Sequence, residues 1–170
     1  VNERFETSLP GVYAIGDAVG GMMLAHAASA QGLTVVHAIA GEEAPLCLDA
    51  IPACVYVSPE IASVGLTQAD CQQRGIEVKV GKALMGANGR TLIAGGQRGF
   101  IKVVVSAENG RVLGAQLMCE RATDMIDSFT VAIANGLTAT QLMRAVRPHP
   151  TFLEAVGEAL DALEGRAIHS

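Results

Sequence analysis

The chain is short of positive charge, of aromatic rings and of paired cysteines, and each shortage removes a class of protein. Its 170 residues carry 12 Lys and Arg against 17 Asp and Glu, a net charge of -5. With no basic tract to neutralise phosphates, nucleic-acid binding is disfavoured. No apolar run approaches the roughly 20 residues of a membrane-spanning helix. The opening VNERFETSLPG lacks the apolar segment of a signal peptide, so no membrane partner and a cytoplasmic location are expected. The cysteines stand at 47, 54, 71 and 119 with no C-x-x-C pair. That argues against a thioredoxin-like motif or a zinc ribbon and predicts reduced, mostly buried thiols. The four His residues are scattered as well, so no metal site is expected and a small metal protein is a poor reading.

What is present is apolar. Half the residues are hydrophobic and only 17% are charged, enough to bury a core and too apolar for a disordered chain. Aromatics at 4% beside 19 glycines indicate a turn-rich α/β or α+β domain with close backbone approaches.

The chain has two parts. Gly11–Ile15 is a short β-prone run, predicted as a buried strand that stops at the turn of Gly16 and Asp17. From Met22 to Ala40, Leu24, Ala28, Leu33, Val36 and Ala40 follow a helical spacing, and Gly41 is a helix stop. The composition changes over 42–50, which sets a boundary between 1–48 and 49–170. Beyond it, strands are predicted at 53–57, 61–66 and 77–84. A short helix opens at Thr67-x-x-Asp70 and ends at Gly75. The glycine-rich stretch 86–99 is predicted as a loop with a strand at 91–93. The runs 100–105 and 112–118 flank Asn109-Gly110, a hairpin signal. Ala122, Met125, Ile126, Phe129 and Ile133 then share a helical face that ends at Gly136. A short helix follows at 138–144. Last comes a helix with Phe152, Val156, Leu160 and Leu163 on one stripe. Hairpin strands followed by a block of helices predict an α+β fold.

Chemistry concentrates at two places. Thr151-x-x-Glu154 ahead of an apolar stripe is a capping box, in which Glu154 accepts the Thr151 N–H. His149 lies just before it, between two prolines that restrict the backbone. It reads either as a structural residue or, with Glu154 as its orienting carboxylate, as a general acid–base pair. One carboxylate has two oxygens, so cap and partner are compatible roles. At the other place, Asp17 after a strand end either caps its own turn or accepts hydrogen bonds from a sugar-type hydroxyl. Met23, Leu24, Ala25 and His26 read as core packing with one exposed histidine.

In order, T-x-x-P-G-V-Y-A-I-G-D from Thr7, then Met23-Leu24-Ala25-His26, then Val64-Gly65-Leu66-Thr67, then His149-Pro150-Thr151 with Glu154 resemble the C-terminal part of the flavoprotein disulfide reductases. The resemblance covers essentially the whole chain. It is greatest to the dihydrolipoamide dehydrogenases, with glutathione-reductase-like chains as relatives. Glutathione-reductase-like chains often carry a second acid where Ala155 stands, which weakly favours the former. The resemblance implies an antiparallel sheet with helices packed on one side for 49–170, the family's interface domain. It makes 1–48 a strand–helix remnant of the FAD-binding domain. Gly16 and Asp17 would lie at the FAD, with Asp17 on the ribityl hydroxyls and Met23, Leu24, Ala25 and His26 at the flavin ring. His149 and Glu154 would be the catalytic acid–base pair, supplied across a homodimer to the partner subunit's redox disulfide. The peptide before Pro150 is cis in some relatives.

The family also uses G-x-G-x-x-G, a C-x-x-x-x-C redox pair and an NAD domain, and none of these is in the sequence. The resemblance therefore implies a piece of an FAD- and NAD-dependent oxidoreductase that converts dihydrolipoamide to lipoamide. The remaining FAD and NAD domains would belong to the same protein. Alone, the piece is expected to bind FAD poorly and not to turn over. The alternatives are a stand-alone dimerisation module without catalysis and a fragment of a glutathione-reductase-like enzyme.

Overall fold

A computed structural model describes residues 1–96 and 98–169. The chain divides into two compact units, Val1–Ile51 and Pro52–Ser170.

In the first unit the 11–15 run does not form a buried strand. Tyr13 pairs with Glu6 through one isolated bridge, and Val12 is 47% exposed. β-prone residues need neighbouring strands to stay paired, and among the described residues of this unit there is only that bridge. A 3-10 turn at Gly16–Val19 follows, then helix α1 (Ala25–Ala40). The buried stripe of α1 is Ala27, Gln31 and Val35, while Leu33 and Val36 of the expected stripe are exposed. Gln31 is drawn inward because its Oε1 accepts the Gly16 N–H at 2.7 Å. The helix ends at Gly41, φ 75. There Gly41 N–H reaches Ala38 O and Glu42 N–H reaches His37 O, the two bonds of a left-handed glycine cap.

The second unit runs β1 (Ala53–Val55), β2 (Glu60–Gly65), α2 (Gln68–Gln73), β3 (Val78–Leu84), α3 (Gly89–Ile93), β4 (Phe100–Ser106), β5 (Val112–Cys119), α4 (Ala122–Met125), α5 (Asp127–Ala134), α6 (Ala139–Met143) and α7 (Glu154–Asp161). The strands form one sheet, ordered β1-β2-β5-β4-β3, with every pair antiparallel. This is the α+β architecture read from the sequence. The Thr67–Asp70 capping box forms, and Gly110 turns the β4–β5 hairpin at φ 70.

One local expectation fails. Residues 91–93 are not a strand but the end of α3, because Asn88 caps that helix: its Oδ1 accepts the Thr91 N–H at 2.9 Å. The cap outweighs the β preference of Thr91 and Ile93. The expected loop around it also includes Gln97, which lies outside the described residues.

Strand register decides which face is buried. Ala62, Leu117, Ile101 and Ala83 lie in one row across four strands, and Val64, Ala115, Val103 and Gly81 in the next. Both rows are covered by Met125, Ile126 and Phe129 from α4, α5 and their junction and by Ala155, Val156, Ala159 and Leu160 from α7. The opposite face carries Lys82, Lys102 and Ile61, none of them fully buried. Gly81 marks the tightest contact. A Cβ there would stand 2.0 Å from the Ala159 carbonyl oxygen and 2.9 Å from Leu163 Cγ. Gly81→Ala is expected to destabilise the second unit by about 1–3 kcal/mol, the usual penalty for overpacking. An unchanged urea midpoint would show that α7 does not lie directly on β3.

Candidate active site

Helix α7 brings the expected acid–base residues together. Its buried side is Ala155, Val156, Ala159 and Leu160, which seats the helix on β3 and β4. Glu154 begins the helix. The approach loop is fixed at several points. Thr151 Oγ1 donates to Pro148 O at 2.8 Å, and buried Asn88 donates through Nδ2 to Thr151 O at 3.0 Å. The His149–Pro150 peptide is cis.

Glu154 uses both oxygens. Oε2 accepts the Thr151 N–H at 2.9 Å, and Oε1 lies 2.8 Å from His149 Nδ1. Only half of the capping box therefore forms, since the Thr151 hydroxyl turns to Pro148 instead of the helix. The Thr151 N–H, followed by the His149 ring, holds the Glu154 carboxyl below its ordinary range. Ionised at neutral pH, Glu154 can only accept. His149 Nδ1 must then carry the shared proton, and Nε2 is the nitrogen that binds or releases one. The arrangement is that of a base with an orienting carboxylate. Both residues line a cavity of about 260 Å³, together with Leu84, Asn88, Glu158 and His169.

Sequence reasoning missed two contributors. Asn88 ties the α3 cap to the 148–151 loop; the signal available was its position as an Asn-x-x-Thr cap. Glu158 pairs with His169 at 3.1 Å; the signal was its place one turn after Glu154 on the same face.

The remaining expected residues lie in the first unit. Gly16 is buried at φ 66, and a Cβ there would stand 3.1 Å from Ala28 Cβ. Asp17 is exposed in the following turn. Met23 is exposed, Leu24 is the extended N-cap residue of α1 without a side-chain cap, and Ala25 and His26 open the helix. An exposed carboxylate and a helix N-terminus without a side-chain cap suit a ligand with both hydroxyl and electron-rich groups, such as FAD.

Burial pushes the Cys54 and Cys71 thiols up and that of Cys119 up to about 12, away from the reactive thiolate. No group of three or more His, Cys, Asp or Glu among the described residues could hold a metal ion. No helix among them is long and apolar enough to cross a membrane.

Residues 51–160 match the dimerisation domain of the pyridine nucleotide-disulphide oxidoreductases, and residues 1–32 match a second model of that name. The dihydrolipoyl dehydrogenase of Bacillus subtilis is 41% identical over 170 residues, covering 99% of this chain and 36% of the relative. That of Thermus scotoductus is 43% identical over 169 residues, covering 99% and 36%. Among solved structures, LpdA from Mycobacterium tuberculosis superposes with a TM-score of 0.89 at 27% identity, covering 96% of this chain and 36% of that one. The flavoprotein disulfide reductase RclA from Escherichia coli shares the fold, with a TM-score of 0.84 at 24% identity, covering 95% and 38%. The chain thus spans only 36% of the length of these two curated relatives.

The lowered Glu154 carboxyl makes a pH prediction. A folded-state value below the ordinary 4.5 stabilises the fold above that pH, and the contribution is lost as pH falls through the depressed value. Glu154→Gln should flatten the fall in thermal midpoint below about pH 4.5. An equally steep fall in the variant would show that the carboxylate is not held.

Proposed function

This chain belongs to the pyridine nucleotide-disulphide oxidoreductases, with residues 51–160 as their dimerisation domain, and from that premise we propose that it supplies the acid–base half of a dihydrolipoamide-oxidising flavoenzyme. The observation that carries this reading is the hold on Glu154: one oxygen on the Thr151 N–H, the other on His149 Nδ1. That hold leaves His149 Nε2 to take a proton from a dithiol. The thiolate so formed attacks the redox disulfide contributed by the longer protein, making a mixed disulfide and releasing the second sulfur as a thiolate. The proton on His149 stabilises the departing sulfur, and ionised Glu154 stabilises the imidazolium meanwhile.

The pair would serve the partner subunit of a homodimer. The exposed apolar run Val55, Tyr56 and Val57 with Ile61 supports an interface on this unit. In the first unit, Asp17 would accept hydrogen bonds from the FAD ribityl hydroxyls. Gly16, Met23, Leu24, Ala25 and His26 would line the same edge. FAD, when bound, supplies the two-electron chemistry, and NAD would bind a domain outside this chain. The chain by itself is inactive in this account, and a cytoplasmic setting suits its reduced thiols.

The test is a chimera in which this chain replaces the matching segment of the Bacillus subtilis dihydrolipoyl dehydrogenase. The chimera should reduce NAD with dihydrolipoamide, and the isolated chain should not. His149→Gln in the chimera should lower kcat by about 10²–10⁴, with Glu154→Gln lowering it less. Full activity in the His149→Gln chimera would refute the acid–base role.

A further inference from the structure

The cavity that holds His149 and Glu154 has a second imidazole and a second carboxylate in its wall. Glu158 lies four residues after Glu154, on the same face of α7. Its Oε2 accepts the backbone N–H groups of Ile168 at 2.9 Å and His169 at 3.1 Å. Its Oε1 lies 3.1 Å from His169 Nδ1. One carboxylate thus fastens the segment that ends at His169 onto the helix that begins at Glu154. Burial alone would push the Glu158 carboxyl up, yet the bonds from His169 and Ile168 outweigh it and hold it below the ordinary range. Glu158 is therefore ionised at neutral pH and accepts only. His169 Nδ1 is the donor, and its Nε2 is where a further proton binds.

We propose that His169, fastened by Glu158, is a positioning residue of the acid–base site that sets the pH at which His149 takes up its proton. The inference rests on the reading of His149 given above. A protonated His169 brings a positive charge to the wall that carries Glu154, and its field acts on that carboxylate. The same field opposes a second positive charge on His149, so the two imidazoles titrate as a coupled pair. The cavity's other charged groups are the two glutamates. On the elements packed around it, Lys79 of β3 is paired with Glu164 and Lys82 of β3 lies over Phe100. Arg90 of α3 lies over Phe152, and Asp161 of α7 acts on Arg147. His169 is the imidazole that shares the cavity wall with His149.

The test follows the imidazole C2–H resonances of the 170-residue chain by NMR, from about pH 5 to about pH 9, in wild type, His169→Gln and His169→Lys. Charges one to two helical turns apart in a partly solvated wall shift one another by about 0.3–0.8 of a pH unit. His169→Gln should raise the His149 midpoint by that amount. His169→Lys, which keeps a cation, should leave it at or below the wild-type value. The rise should shrink in about 1 M salt, where the screening length is about 3 Å. A His149 midpoint in His169→Gln within about 0.1 of wild type would overturn the proposal. So would an equal rise in both variants, which would trace the effect to packing of the tail and not to charge. The readout needs no turnover, whereas the role of His149 in catalysis is judged in the chimera, so the two readings fail separately.

Discussion

Helix α7 lies with its backbone directly on β3, at a point where residue 81 has no side chain. The Ala159 carbonyl occupies the space a Cβ would need, 2.0 Å from it. Every other part of the candidate site depends on that seating. It aligns Ala155, Val156 and Leu160 with the rows of Ile101, Val103 and Ala83 in one core, and it sets the helix N-terminus beside the α3 cap. Asn88 can then reach Thr151, and the loop bearing His149 is held from both sides. A core built of alanine, valine and glycine permits such close approach, and rings in the same places would hold the helix off the sheet.

The chemistry follows from how one carboxylate divides its two oxygens. If Glu154 only capped, His149 would be an exposed imidazole with no fixed tautomer. If it only paired with His149, the first turn of α7 would lose an acceptor for the Thr151 N–H. With both bonds made, the carboxyl is stabilised as an anion and dictates which ring nitrogen carries the proton. Glu158 repeats the device one turn later, with backbone N–H groups on one oxygen and an imidazole on the other. The two pairs give the cavity an alternation of carboxylate and imidazole that favours proton transfer near neutrality.

The local parts of this were legible in the sequence. His149 and Glu154 are five residues apart with a capping pattern between them, so turn geometry alone brings them together. The Thr67 box, the Asn109-Gly110 hairpin and the stripe of α7 are likewise written in short windows. Two kinds of feature were not. Residues 91–93 carry β-prone side chains, but a capping Asn at 88 turns them into the end of a helix. The Asn88 to Thr151 bond spans 63 residues, and the Glu158 to His169 bond joins α7 to the tail; neither leaves a periodic trace. The 11–15 run has strand chemistry, yet pairing is decided by neighbours and not by propensity.

The central claim is that Glu154 fixes the His149 tautomer so that Nε2 is the working nitrogen. Ring ¹⁵N chemical shifts of His149, recorded above the pH at which the imidazolium has lost its proton, test it directly. The account predicts Nδ1 in the protonated-nitrogen range and Nε2 in the unprotonated range, and loss of that preference in Glu154→Gln. A neutral His149 protonated at Nε2 in the unaltered chain would contradict it, because the nitrogen that must accept the proton would already hold one.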